Sequence, residues 1–260
     1  MAPRKKLVVG NWKMNLTVHE ASLYLHKLAD IVPVRRNVEV VVAPTLLALQ
    51  TLSLQVNRRQ FKLAVQNFYW RDNGAFTGEV SAAQLQSMVE YAIVGHSERR
   101  YKFHETERDI RNKVQAAVRN RIKPILCVGE TVAERSYGET NDTLRDQLTS
   151  GLANLTSEDL DMLVVAYEPV WAIGTGDNAK PSDVADAVKV IRSQLKHLYG
   201  AKAADEVRVL YGGSVTPSST ADYLAIKGVD GFIIGGASLV SHDFAEIVSK
   251  AHSSNVATKA

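Results

Sequence analysis

The sequence predicts an α/β fold in which eight parallel strands close into a (β/α)8 barrel inside an outer ring of helices. Three observations carry that reading. Eight short, apolar, β-branched runs occur along the 260 residues. Helical patterns separate them, and each run plus helix takes about 32 residues, close to one βαβ step. The runs are nearly continuous rather than alternating, as expected for strands buried on both faces of a parallel sheet. Eight consecutive strand–helix units favour closure over an open sheet.

The runs are Leu7–Gly10, Val38–Ala43, Leu63–Val65, Ala92–Val94, Ile125–Val128, Leu163–Tyr167, Val207–Tyr211 and Gly231–Ile234. Several of the intervening helices have readable ends. Thr17-x-x-Glu20 is a capping box that opens a segment with Ala21, Leu25, Leu28 and Val32 on one face. Thr106 can cap a helix whose apolar stripe is Ile110, Val114, Ala117 and Val118. Pro181 suits a first helical position, and Val184, Ala187, Val188, Ile191, Leu195 and Leu198 follow at helical spacing. Lys196 and His197 suit the last turn and Gly200 the stop.

Composition narrows the class further. Hydrophobic residues make up 45% and charged residues 23%, a soluble globular profile that excludes disordered, collagenous and disulfide-stapled chains. No linker-like stretch interrupts the units. The expectation is a single barrel domain over 1–260, with 1–6 and about 251–260 as peripheral ends. Thirty-one basic and 28 acidic residues give +3, and Arg4-Lys5-Lys6 is the longest basic terminal cluster, so nucleic-acid binding is unsupported. The one cysteine, Cys127, sits in an apolar run and reads as a small buried hydrophobe. Leu7-Val8-Val9 is too short for a signal segment or a membrane span, so no membrane contact is expected and the chain reads as cytoplasmic. The Asn15, Asn141 and Asn154 sequons are then chance matches. Seven dispersed histidines, without H-E-x-x-H or C-x-x-C, argue against a local metal site.

In such a barrel, chemistry sits at the carboxyl ends of the strands. The first run is followed by Asn11, Trp12 and Lys13; the fourth by Gly95, His96, Ser97 and Glu98; the sixth by Glu168 and Pro169. The seventh is followed by Gly212, Gly213 and Ser214, and the eighth by Gly235 and Gly236. A carboxylate, an imidazole, an ammonium and two glycine turns therefore converge on one rim. Glycine turns let backbone N–H groups approach an anion, and the loops after strands seven and eight are where this architecture commonly holds phosphate. Ser214 can add a hydroxyl. Glu168 is a candidate general base, for which it should be shielded from water. Val170-Trp171-Ala172-Ile173-Gly174-Thr175-Gly176 is apolar and then glycine-rich, suited to a lid. Gly174-Thr175-Gly176-Asp177-Asn178-Ala179 is no dinucleotide fingerprint, because some ten residues separate strand from helix. His96 opens a short polar segment, where a helix N-terminus favours a neutral ring. Each residue alone also fits a packing role. Together they suggest proton abstraction beside the carbonyl of a small phosphorylated sugar.

The motifs Gly10-Asn11-Trp12-Lys13-Met14-Asn15, Val94-Gly95-His96-Ser97-Glu98-Arg99-Arg100, Ala166–Gly176, Tyr211-Gly212-Gly213-Ser214-Val215 and Gly235-Gly236-Ala237 occur in this order. Over nearly its whole length the chain resembles the triosephosphate isomerase family. The resemblance implies cofactor-free interconversion of dihydroxyacetone phosphate and glyceraldehyde 3-phosphate, in glycolysis and gluconeogenesis. It implies Glu168 as base, His96 as the acid that polarises the carbonyl, and Lys13 and Asn11 as stabilisers of the oxyanion. Glu98 supports this set from behind. Backbone groups of Gly174, Ser214, Gly235 and Gly236 would hold the phosphate, under a lid over about 169–179. It also implies a homodimer through the loop Gln66–Glu79, with Thr77 near the neighbouring site. The Phe68-Tyr69-Trp70-Arg71-Asp72 stretch of that loop is bulkier and more charged than in many members. Two other readings use the same residues: a Schiff-base sugar-phosphate aldolase, with Lys13 the one strand-end lysine, and a phosphosugar-binding protein without catalysis.

Overall fold

The computed structural model describes residues 4–173 and 178–257, the last three as backbone only. Its strands are β1 (Lys6–Asn11), β2 (Val38–Ala43), β3 (Lys62–Val65), β4 (Tyr91–Val94), β5 (Lys123–Val128), β6 (Val164–Tyr167), β7 (Arg208–Tyr211) and β8 (Gly231–Ile234). They form a closed barrel in sequence order, every neighbour parallel, with Val8 paired to Val40 on one side and Phe232 on the other. The sequence boundaries agree to within two residues.

Period-two alternation sorts the strand side chains into two buried layers. Leu7, Val9, Val41, Ile93, Ile125, Val164, Leu210 and Ile233 pack together inside the barrel. Val8, Val40, Val65, Leu126, Val165, Val209 and Phe232 face outward and join the helices in a larger core. Helix Val18–Ile31 contributes Ala21, Leu25 and Leu28, and helix Pro181–Tyr199 contributes Val184, Val188, Ile191 and Leu195. Continued by one step, the inward register reaches Asn11 after Val9, Glu168 after Ala166, Gly212 after Leu210 and Gly235 after Ile233. The packing code of the barrel thus delivers the polar rim.

The local signals are realised. Thr17 and Thr106 both close capping boxes, with Glu20 and Asp109 respectively. Gly200 ends helix Pro181–Tyr199 at φ +82°, and a second short helix, Ala201–Glu206, starts at once. At the amino-terminal end of the barrel the Tyr91 hydroxyl donates to Glu39 and accepts from Arg208 at 2.7 Å. Gly231 has φ +145°, and a Cβ there would lie 1.8 Å from the Leu7 carbonyl oxygen, so only glycine lets β8 close on β1.

Two substitutions check this account. Gly231→Ala blocks closure and should yield insoluble or molten protein by near-UV circular dichroism. Thr106→Ala should lower the unfolding free energy by about 1 kcal/mol in urea, with an unchanged m value.

Candidate active site

A cavity of about 550 Å³ opens at the carboxyl ends of the strands, and Asn11, Lys13, His96, Glu98 and Glu168 line it together with Ser214, Gly235 and Gly236. The strand-end residues singled out from sequence therefore meet around one space. Gly174 is the exception in this set: it lies outside the described residues.

Lys13 takes the left-handed backbone conformation, φ +53°, which a non-glycine residue adopts at a cost of about 1–2 kcal/mol. Neighbours fasten that turn. The Lys13 N–H donates to Asn11 Oδ1 (3.1 Å), and Gln66 Nε2 donates to the carbonyls of Lys13 (2.9 Å) and Ala43 (2.8 Å). Asn15 Nδ2 adds a bond to the Trp12 carbonyl at 2.7 Å. So held, the Lys13 ammonium donates to Glu98 Oε1 at 3.0 Å. Partial burial pushes the Glu98 carboxyl up. The hydrogen bond and charge of Lys13, followed by the neighbouring His96 and the charge of Lys102, outweigh this and hold it below its ordinary value.

His96 is the N-cap of helix Ser97–Lys102, and its Nδ1 accepts the N–H of Glu98 at 3.2 Å. A ring nitrogen that accepts carries no proton, so the neutral ring bears its hydrogen on Nε2. Nε2 points at Glu168 Oε1, 3.4 Å away. Glu168 is 2% exposed. Its Oε2 accepts the N–H of Ser97 at 3.2 Å, and its own N–H is tied to the Val128 carbonyl at 2.7 Å. Gly212 makes room for it: a Cβ there would sit 2.8 Å from Glu168 Cγ.

Beyond Glu168 the chain makes a short 3₁₀ turn, Val170–Ala172. Trp171 Nε1 donates to Glu130 Oε1 at 2.7 Å, the Tyr167 hydroxyl donates to the same carboxylate at 3.2 Å, and the Arg135 guanidinium stacks 4.0 Å over the indole. Ser214 Oγ donates to the Ala172 carbonyl at 3.3 Å. Of the expected lid, 174–177 lie outside the described residues. On the far side, Gly236 opens a 3₁₀ turn, and its Cα position faces free space.

Thr77 is exposed on the loop after β3 and does not line this cavity. A smaller cavity, about 200 Å³, lies behind Lys13 and His96, lined also by Met14, Gln66 and Phe103. Met14 is 94% and Phe103 63% exposed.

Two participants were not singled out from sequence, and Cys127, read there as a small buried hydrophobe, is buried as expected but also neighbours the site. Gln66 follows β3, and Glu130 comes two residues after β5, so the strand-end rule that found Asn11 could have found both. Cys127 had no such signal. Its thiol faces Glu168, and burial, followed by that negative charge, pushes the thiol well up.

The model of the family described as triosephosphate isomerase matches residues 6–251. The chain belongs to the triosephosphate isomerase family. A Clostridium perfringens protein named triosephosphate isomerase is 42% identical over 247 residues, covering 95% of this chain and 99% of that one. A protein of that name from Streptococcus mutans is 41% identical over 242 residues, covering 93% and 96%.

The raised thiol has a signed consequence. Its stabilising contribution is complete below the unfolded thiol value of about 8.5 and is lost as pH rises from there toward the folded value. Stability should therefore fall between about pH 8 and 10 more steeply in the wild type than in Cys127→Ala, read as urea midpoints across that range. Parallel pH curves for the two proteins would contradict this.

Proposed function

We propose that this chain interconverts dihydroxyacetone phosphate and D-glyceraldehyde 3-phosphate through an enediolate. The observation that carries the reading is the buried Glu168 carboxylate facing the Nε2 of His96 at 3.4 Å, inside a cavity sized for a small ligand. A three-carbon ketose in this cavity, with the Glu168 carboxylate swung off the Ser97 N–H, presents its C1 hydrogen to Glu168 and its C2 carbonyl oxygen to the imidazole N–H. Glu168 takes the C1 proton, and the enediolate forms as His96 donates to the oxygen. Proton return to C2, with His96 moving the hydroxyl proton between oxygens, gives the aldose. Lys13 and Asn11 stabilise the developing negative oxygen. Glu98 holds Lys13 in place between turnovers. The phosphate sits at the backbone of Ser214, Gly235, Gly236 and Gly174. No cofactor is needed for this proton chemistry.

Lys13 is engaged by Glu98 as a cation, the role of a charge stabiliser rather than of a free Schiff-base amine. The cytoplasm, where free triose phosphates are made and used, is the compartment this reading assigns. We also infer a homodimer. Residues 73–79 of the loop Gln66–Glu79 are all exposed, Thr77 among them, and the cavity behind Lys13 is flanked by the exposed Met14 and Phe103. A partner's loop tip would fill that cavity and bring Thr77 beside Lys13.

The decisive test is incubation of dihydroxyacetone phosphate in deuterated water, where label should enter carbon-bound positions only with active protein. Glu168→Asp withdraws the base by one methylene and should lower turnover by about 10²–10³, with KM within a few-fold. Wild-type turnover in that variant removes Glu168 from the reaction. Sedimentation should give twice the 28.5 kDa chain mass for the wild type and the chain mass for Thr77→Arg.

A further inference from the structure

Two cations share the carboxylate of Glu98. Lys13 Nζ lies 3.0 Å from its Oε1, and Lys102 Nζ lies 3.9 Å from the same oxygen, one helical turn along Ser97–Lys102. Lys102 is 71% exposed, yet it lines the cavity with Lys13, Glu98 and Glu168. Among the described residues these four are the charged side chains around the cavity, so its formal charge sums to zero. Without Lys102 the cavity would carry a net negative charge, the sign of a phosphorylated substrate.

As a structural staple Lys102 contributes little, since an exposed i,i+4 ion pair in water is weak and screened. The helix that carries it is already fixed by the His96 cap and by the Arg99–Glu105 and Arg100–Glu107 pairs. Its position matters in another way. Lys13 cannot give its full charge to Glu98 and to a substrate oxygen together. When Lys13 turns to substrate, the half-buried Glu98 loses its main partner. Lys102 is near enough to close on Glu98 by a rotamer change of an exposed side chain.

We propose that Lys102 is a positioning residue for the isomerase reaction. It holds Glu98 while Lys13 engages substrate, and it supplies the second positive charge that draws the phosphate dianion into the cavity. This rests on the isomerase reading above.

The test is steady-state kinetics with both triose phosphates on the wild type, Lys102→Met and Lys102→Arg, at low and high salt. Lys102→Met should lower kcat/KM about three- to tenfold at ~10 mM ionic strength, chiefly through KM, and the gap should shrink at ~0.5 M. Inorganic phosphate should bind Lys102→Met more weakly by a similar factor, and Lys102→Arg should come back to within about twofold of wild type. Melting temperatures should agree, because the side chain is exposed. A Lys102→Met protein with wild-type KM and salt dependence overturns the proposal, as does Lys102→Arg failing equally. If wild type isomerises while Lys102→Met is indifferent, only this proposal falls. A wild type with no isomerase activity removes both.

Discussion

The arrangement depends on one constraint: a carboxylate must be buried at the rim of a barrel whose interior is otherwise apolar. The two-residue alternation that packs Val164 and Ala166 inward carries Glu168 to the next inward position. There it is 2% exposed and accepts the Ser97 N–H at 3.2 Å, long for a charge-assisted bond. A buried charge is tolerated only when it is compensated. That bond is long, and the other polar groups the carboxylate faces are the imidazole of His96 and the thiol of Cys127. The same shielding that makes the site costly for the fold keeps bulk water away from the carboxylate.

The rest of the rim serves that pair. His96 caps its own helix through Nδ1, so its tautomer follows from a backbone hydrogen bond rather than from substrate. Lys13 sits in a strained turn that Asn11 and Gln66 over-determine, and strain of this kind persists only where the surroundings enforce it. Glu98 links the two halves: its N–H orients His96 and its carboxylate holds Lys13. Gly212 gives up a side chain so that Glu168 can occupy the space. These groups come from β1, β3, β4, β6 and β7, and only closure of the sheet brings them within reach of one small molecule.

Much of this was legible in the residues, for physical reasons. A barrel strand covered on both faces must read as a continuous apolar run, so its end is marked by the first polar residue. That rule located Asn11, His96, Glu168, Ser214, Gly235 and Gly236. Capping at Thr17 and Thr106 is a short-range pattern and survived folding unchanged. Contacts made across the barrel left no local trace. The thiol of Cys127 meets Glu168 only because β5 and β6 are paired. Gln66 shows a different gap. It occupies a strand end like the others, but a neutral amide gives no chemical cue of its own, and its work is done on another residue's backbone.

The most direct measurement is a crystal structure of the protein with dihydroxyacetone phosphate bound. The carboxylate of Glu168 should have left the Ser97 N–H and lie about 3 Å from the carbon that loses its proton. The Nε2 of His96 should be within about 3 Å of the carbonyl oxygen of the same molecule. A ligand gripped by the glycine turns while Glu168 stays bonded to Ser97, beyond about 5 Å from every substrate carbon, would contradict the central claim.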